Sequence, residues 1–120
     1  MLFRSKDGKL RPVQDYRPVN KWTVRDRNVS PLILQVIDRL SGCTLFTVFD
    51  VRWGYNNIRI KEGDEWKAAF LTHEGLFEPT VMFFGLTNYS ATFQAMMNAI
   101  FRQEVAAGWL SVYMDDIAIH

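Results

Sequence analysis

Two adjacent aspartates, Asp115 and Asp116, stand between two short apolar runs near the end of the sequence. Residues 109–114 are rich in strand formers, and residues 117–119 resume an extended apolar pattern. The pair therefore predicts a β-hairpin with both acids at its turn. Neighbouring carboxylates close to a core repel each other and resist desolvation. They persist where solvent reaches them or where a cation neutralises them. Taken alone, the pair is better explained by an acidic turn than by a metal site.

Asp50 changes that balance. Residues 44–51 are β-branched and aromatic, and they predict a strand with Phe46, Val48 and Asp50 on one face. Asp50 then ends a strand of the same sheet, where a neighbouring strand end can bring it beside Asp115-Asp116. Three carboxylates on a rigid sheet suit hard divalent cations, which take oxygen ligands from one or two carboxylates plus substrate phosphates. In a two-metal site the ions stabilise both the attacking and the leaving oxygen of a phosphoryl displacement.

The rest of the chain supplies a mixed frame. Lys6-Asp7-Gly8-Lys9 predicts a turn, followed by a strand over residues 10–16. Residues 18–31 read as irregular and polar. Residues 32–40 have helical spacing at Ile33, Val36, Ile37 and Leu40, with Gly42 as a stop. A short strand is expected at residues 58–61, and a hairpin at residues 66–72 and 76–82 around His73-Glu74-Gly75. The longest helix is expected over residues 87–107, with Phe93, Met96, Met97, Ile100, Phe101 and Val105 inward and Gly108 closing it. Without a βαβ rhythm the class is α+β. Trp53 and Trp66 read as packing residues, His73 and His120 as surface residues, and Cys43 as a small buried one.

Hydrophobic residues form 48% of the 120, enough for one domain with a core. No apolar run reaches membrane-spanning length. The single cysteine excludes an internal disulfide and a thiolate metal cluster, and an intracellular setting, cytoplasmic or nuclear, is the expectation. Charge is uneven: residues 1–27 hold eight basic side chains against three acidic, and the remainder six against ten. A basic lobe beside an acidic one suits a protein that grips phosphates with one part and cations with the other, although a merely solvated basic segment gives the same count.

Four segments in order resemble the reverse transcriptases of gypsy-type long-terminal-repeat retrotransposons. Leu10-Arg11-Pro12-Val13-Gln14-Asp15-Tyr16-Arg17-Pro18-Val19-Asn20 is similar to their fingers segment. The run from Phe49-Asp50-Val51 to Ile60 resembles the strand with the first catalytic aspartate. Phe84-Gly85-Leu86-Thr87-Asn88 followed by Ala91-Thr92-Phe93-Gln94 resembles the nucleotide- and template-supporting box, and Tyr113-Met114-Asp115-Asp116 the YxDD box. Ser90 replaces a proline usual in that family, which predicts a looser entry to the long helix.

The resemblance implies an antiparallel palm sheet with packed helices and part of a fingers subdomain. Residues 1–43 would be fingers with the first helix, and residues 44–120 a palm core with an interleaved fingers hairpin. It implies an RNA-directed DNA polymerase using two Mg²⁺ (or Mn²⁺) ions, a deoxynucleoside triphosphate and an RNA/DNA template-primer. Asp50, Asp115, Asp116 and the Val51 carbonyl would be metal ligands. Arg11 and Lys6 would contact the triphosphate, Phe84 and Gly85 would line the nucleotide pocket, and Tyr55 would lie under the sugar. Tyr113, Met114 and Gln94 would lie near primer or template. Read without the family, Tyr55 is equally a packed core tyrosine and Met114 a buried methionine. The remainder of a polyprotein (thumb, connection, RNase H) would lie outside these residues. The alternatives are an inactive retroelement remnant that at most binds nucleic acid, and a metal-dependent nuclease.

Overall fold

In the computed structural model of the chain the described residues are 2–4, 8, 10–26 and 33–120, with only the backbone described for 2–4 and 10–12. Helices and antiparallel strands are mixed, in the order β1(Leu2–Arg4), β2(Leu10–Pro12), α1(Arg17–Trp22), α2(Ile33–Leu40), β3(Thr47–Asp50), β4(Phe70–Thr72), β5(Gly75–Phe77), α3(Tyr89–Ile100), α4(Arg102–Ala107), β6(Leu110–Tyr113) and β7(Asp116–Ile119). This is the expected α+β class. Contacts divide the chain into two units, residues 1–25 with 56–89, and residues 26–55 with 90–120. The helix α2 lies in the second unit, where it contacts β6.

The first unit carries two small hairpins. Strands β1 and β2 pair antiparallel, Arg11 opposite Phe3. Of the turn expected between them, Lys6, Asp7 and Lys9 lie outside the described residues, and Gly8 has the positive φ (79°) expected of a turn glycine. Of the stretch 18–31, expected to be irregular, residues 27–31 lie outside the described residues, and within the rest α1 forms with Pro18 in its first turn, where a missing N–H costs nothing. Tyr16 is buried and donates its hydroxyl to the Ala68 carbonyl at 3.1 Å.

Strands β4 and β5 pair through a two-residue turn at His73-Glu74, with Thr72 opposite Gly75. They are shorter than expected, since residues 65–68 form a 3₁₀ turn. The strand expected at residues 58–61 is reduced to one bridge, Arg59 opposite Val81. Trp66 is 62% exposed, so it is not a packing residue.

The second unit holds a three-stranded antiparallel sheet in the order β3-β7-β6. Its core is anchored by Phe93, which is 0% exposed, with Met97, Leu110 and Val112. Phe93 packs so closely on Gly54 that a β-carbon there would stand 2.8 Å from its Cζ. The long helix is split at Phe101 (φ −99°, ψ 24°), although Phe101 N–H still reaches the Met97 carbonyl at 3.0 Å. Its buried side is narrower than its apolar stripe, since Ile100 is exposed and Gln94 is buried. The helix starts at Tyr89 with Ser90 in its first turn, so the absent proline does not prevent entry. Gly108 closes α4 in the left-handed region, as its position predicts. The apolar residues of α2 at Ile33, Leu34 and Ile37 and those of β3 at Val48 and Phe49 are exposed.

Candidate active site

The β6–β7 hairpin puts Tyr113 opposite Asp116, so its turn is Met114-Asp115 and not Asp115-Asp116. Asp116 is the first residue of β7. Two-residue hairpins favour turns whose twist matches the strands, and those turns need positive φ. Met114 supplies it at φ 53°, and Asp115 does not share it, the pattern of a type II′ turn. A non-glycine residue held there costs about 1–2 kcal/mol. The turn therefore needs outside support.

Gln94 provides that support. It is 2% exposed on α3, and its Oε1 accepts the Met114 N–H at 2.7 Å. Its Nε2 donates to Asn98 Oδ1 at 2.9 Å and to the Val112 carbonyl at 3.4 Å. A buried amide among apolar neighbours is tolerable only with its partners made, and all these partners lie in the hairpin or on the same helix. The sequence reading placed Gln94 near primer or template; the structure shows its side chain spent on the turn. Its signal in the sequence was a polar residue inside the apolar stripe between Phe93 and Met97.

Asp50 joins the site through register. It lies opposite Asp116 in the β3–β7 ladder. Directly opposed residues have β-carbons about 4.5–5.5 Å apart, so two like charges meet here. The Val51 N–H donates to the Asp115 carbonyl at 2.9 Å, tying the end of β3 to the turn. The Val51 carbonyl accepts the Gly54 N–H at 3.1 Å, which occupies one of its two lone pairs.

Tyr55 follows on a 3₁₀ turn over Gly54–Asn57. Its ring lies 4.4 Å from that of Phe93 between centroids, and its hydroxyl donates to Met114 Sδ at 3.2 Å. Burial first, then the charge of Asp115 and a hydrogen bond to it, with Asp116 and Tyr113 adding, hold its pKa above the ordinary value. Tyr55 is thus both half-buried core and neighbour of the acidic turn. Trp53, two residues earlier, stands 69% exposed at φ 56° and is not a packing residue.

The donor set of three carboxylates and a backbone carbonyl fits a hard divalent cation. Among the described residues no three His, Cys, Asp or Glu side chains converge into a ready cluster. The backbone brings Asp50, Asp115 and Asp116 together; a bound cation would have to draw the side chains in.

The remaining candidates lie in the first unit. Gly85 takes φ 102°, as only glycine does without strain. Its carbonyl accepts from Asn20 Nδ2 at 2.6 Å, and Asn20 Oδ1 accepts the Thr87 N–H at 2.8 Å. This bridge holds residues 85–87 in place, and sequence reasoning missed it. Phe84 is 45% exposed beside Tyr89. Arg11 is placed only by the backbone of β2, and Lys6 lies outside the described residues. At the far end of the acidic hairpin, His120 is not a simple surface residue. It hydrogen-bonds Ser111 Oγ at 3.0 Å and lies 3.6 Å from Cys43 Sγ, which is half-buried and not fully buried.

Comparison with known proteins places this geometry. The reverse transcriptase (RNA-dependent DNA polymerase) family pattern matches residues 3–120. The Tf2-3 and Tf2-7 transposon polyproteins of Schizosaccharomyces pombe are each 40% identical to the chain over 120 residues. The match covers 100% of this chain and 9% of each polyprotein, so the chain spans about a tenth of these relatives. A foamy viral protease-reverse transcriptase (dRH) in complex with ds DNA superposes with TM-score 0.88 at 27% identity, over 99% of this chain and 20% of that one. A second foamy viral protease-reverse transcriptase complex with dsDNA gives TM-score 0.82 at 26% identity, over 99% and 24%. With the acidic turn, its paired aspartate and the fold in agreement, the chain belongs to the reverse transcriptase family.

Proposed function

We propose that this chain contributes the catalytic carboxylates of an RNA-directed DNA polymerase within a larger retrotransposon polyprotein. The observation that carries the reading is the register of Asp50 opposite Asp116, with Asp115 in the adjoining turn. Asp50, Asp115, Asp116 and the Val51 carbonyl would hold two divalent cations, Mg²⁺ or Mn²⁺. Bound there, the cations supply the charge that stabilises the attacking and leaving oxygens of nucleotidyl transfer.

The chain's own residues do the positioning. Gln94 fixes the Met114 N–H, and so fixes where Asp115 and Asp116 start. Tyr55, with its hydroxyl on Met114 Sδ and its ring on Phe93, would restrict the space under a nucleotide sugar and disfavour a 2′-hydroxyl. Tyr113 and Met114 would lie against the primer end. In the first unit, Arg11 and Lys6 would meet phosphates and Phe84 and Gly85 a nucleotide. The template-primer is RNA paired with DNA, and the setting is intracellular. Support for the nucleic-acid part comes from relatives solved as complexes with DNA.

Primer extension on an RNA template tests the reading: extension by the 120-residue chain in Mg²⁺, abolished in Asp115→Asn, supports it. A second reading, a remnant that only binds nucleic acid, is favoured by the lack of a ready carboxylate cluster among the described residues. Salt-sensitive binding without extension would select that reading, and template cleavage without extension would select a nuclease.

A further inference from the structure

The second unit contains a cavity of about 360 Å³ on the side of β6 covered by helices, distinct from the acidic turn. Its volume falls in the range of small-molecule sites, roughly 300–1,000 Å³. Val36 of α2, Val105 of α4 and Val112 of β6 contribute its apolar lining. Its charged groups are of one sign only: Arg39 from α2 and Arg102 from α4 both line it. Both arginines are exposed and solvated, and among the described residues neither guanidinium has a carboxylate within 4.0 Å, so both remain available to an anionic ligand.

Asn98, also in the lining, uses its Oδ1 to accept from Gln94, which turns its amide N–H groups into the available function. Charge-assisted donors over an apolar floor match a carboxylate carrying a short apolar tail. A bare phosphate would use the guanidiniums and leave the valines against water. A neutral ligand would leave the guanidiniums to water and draw nothing from their charge.

The same asparagine links the cavity to the turn. Asn98 Oδ1 holds Gln94 Nε2 at 2.9 Å, and Gln94 Oε1 holds the Met114 N–H at 2.7 Å. Two hydrogen bonds therefore separate a ligand on Asn98 from the strained residue next to Asp115. We infer that this cavity is a regulatory site for a small amphiphilic carboxylate, whose binding is felt at Met114 through Asn98 and Gln94. Binding and its effect on Met114 are properties of the fold; only the consequence for polymerisation rests on the function proposed above.

The test uses the 120-residue chain with carbon-13 methyl-labelled methionine, the Met114 signal being assigned by Met114→Leu. Phenylbutyrate is the probe. The expected result is saturable binding with a shift of the Met114 methyl. Arg39→Gln and Arg102→Gln should each weaken binding about tenfold, the loss of one charge-assisted hydrogen bond. Arg39→Lys and Arg102→Lys, which keep the charge and control for folding, should weaken it less. Asn98→Ala should bind the probe more weakly and, at saturating probe, without the Met114 shift. The inference is overturned if phenylbutanol binds as tightly, if inorganic phosphate displaces the probe, or if binding is absent or ignores both arginine substitutions. A chain that binds phenylbutyrate as described but fails to extend a primer would sink the polymerase reading and leave this one standing.

Discussion

The carbonyl of the Gln94 side chain accepts the backbone N–H of Met114 at 2.7 Å, joining the helix α3 to the residue that bends the acidic hairpin. Removing that acceptor strands a partly buried N–H in a turn that already carries strain. Gln94→Leu is expected to lower stability by about 1–3 kcal/mol. Urea denaturation measures the loss, and faster amide hydrogen exchange at Met114 locates it. Unchanged exchange at Met114 would show that the turn stands without Gln94.

Asp50 and Asp116 face each other across the β3–β7 ladder, and like charges directly opposed in a sheet are destabilising. With divalent cations chelated, Asp50→Asn is expected to raise stability by a few tenths of a kcal/mol. Adding Mg²⁺ should stabilise the parent chain and not the variant, which reverses their order. Thermal melts with and without a chelator read the effect, and an identical Mg²⁺ response in both chains would remove Asp50 from the site.

Tyr55 titrates above its ordinary value of 10.0, because burial and the neighbouring Asp115 both disfavour the phenolate. Tyr16 is raised as well, by burial. A raised folded pKa contributes stability that is complete below about pH 10 and is lost as pH rises through the folded value. The chain should therefore lose stability in alkali, and Tyr55→Phe should lose less over the same range. Phenolate absorbance followed through an alkaline titration checks both residues.

Gly54 has no room for a side chain, since a β-carbon would stand 2.8 Å from Phe93 Cζ, in the middle of the core. Gly54→Ala should cost about 1–3 kcal/mol, the usual penalty of overpacking. Gly63 has open space around it, and Gly63→Ala should act only through its backbone angle (φ 85°). Comparing the two melts separates clash from conformational strain. Equal losses would mean that Phe93 moves aside at little cost.

The acidic hairpin and its partner strand were readable because each depends on local pattern: apolar runs of strand length around Asp115-Asp116, and a β-branched run ending at Asp50. The turn was misplaced by one residue, since sequence alone favours two acids at a turn over a methionine at positive φ. The helix α1 is hidden in a stretch that reads as irregular and polar, because six residues without a clear apolar stripe give little periodicity, even though Pro18 suits a first turn. The break at Phe101 has neither proline nor glycine to announce it. The Gln94 and Asn20 contacts span 20 and 67 residues, and nothing local encodes a partner that distant. The exposure of Trp53 and Trp66 was likewise hidden, because a large apolar side chain carries no mark of which surface it faces.

Among the described residues β3 lies at the rim of its sheet, paired with β7, and it delivers one of the three acids. Asp50 therefore stays beside the other two only while four residue pairs remain zipped. With a cation in the proposed site, fraying of this strand and loss of the ion would become a single equilibrium. Free energy gained on capturing a cation is also free energy that closes the strand, and its amide exchange rates should fall as ion concentration rises. The ion would act as a clasp on the protein before it acts on any nucleotide.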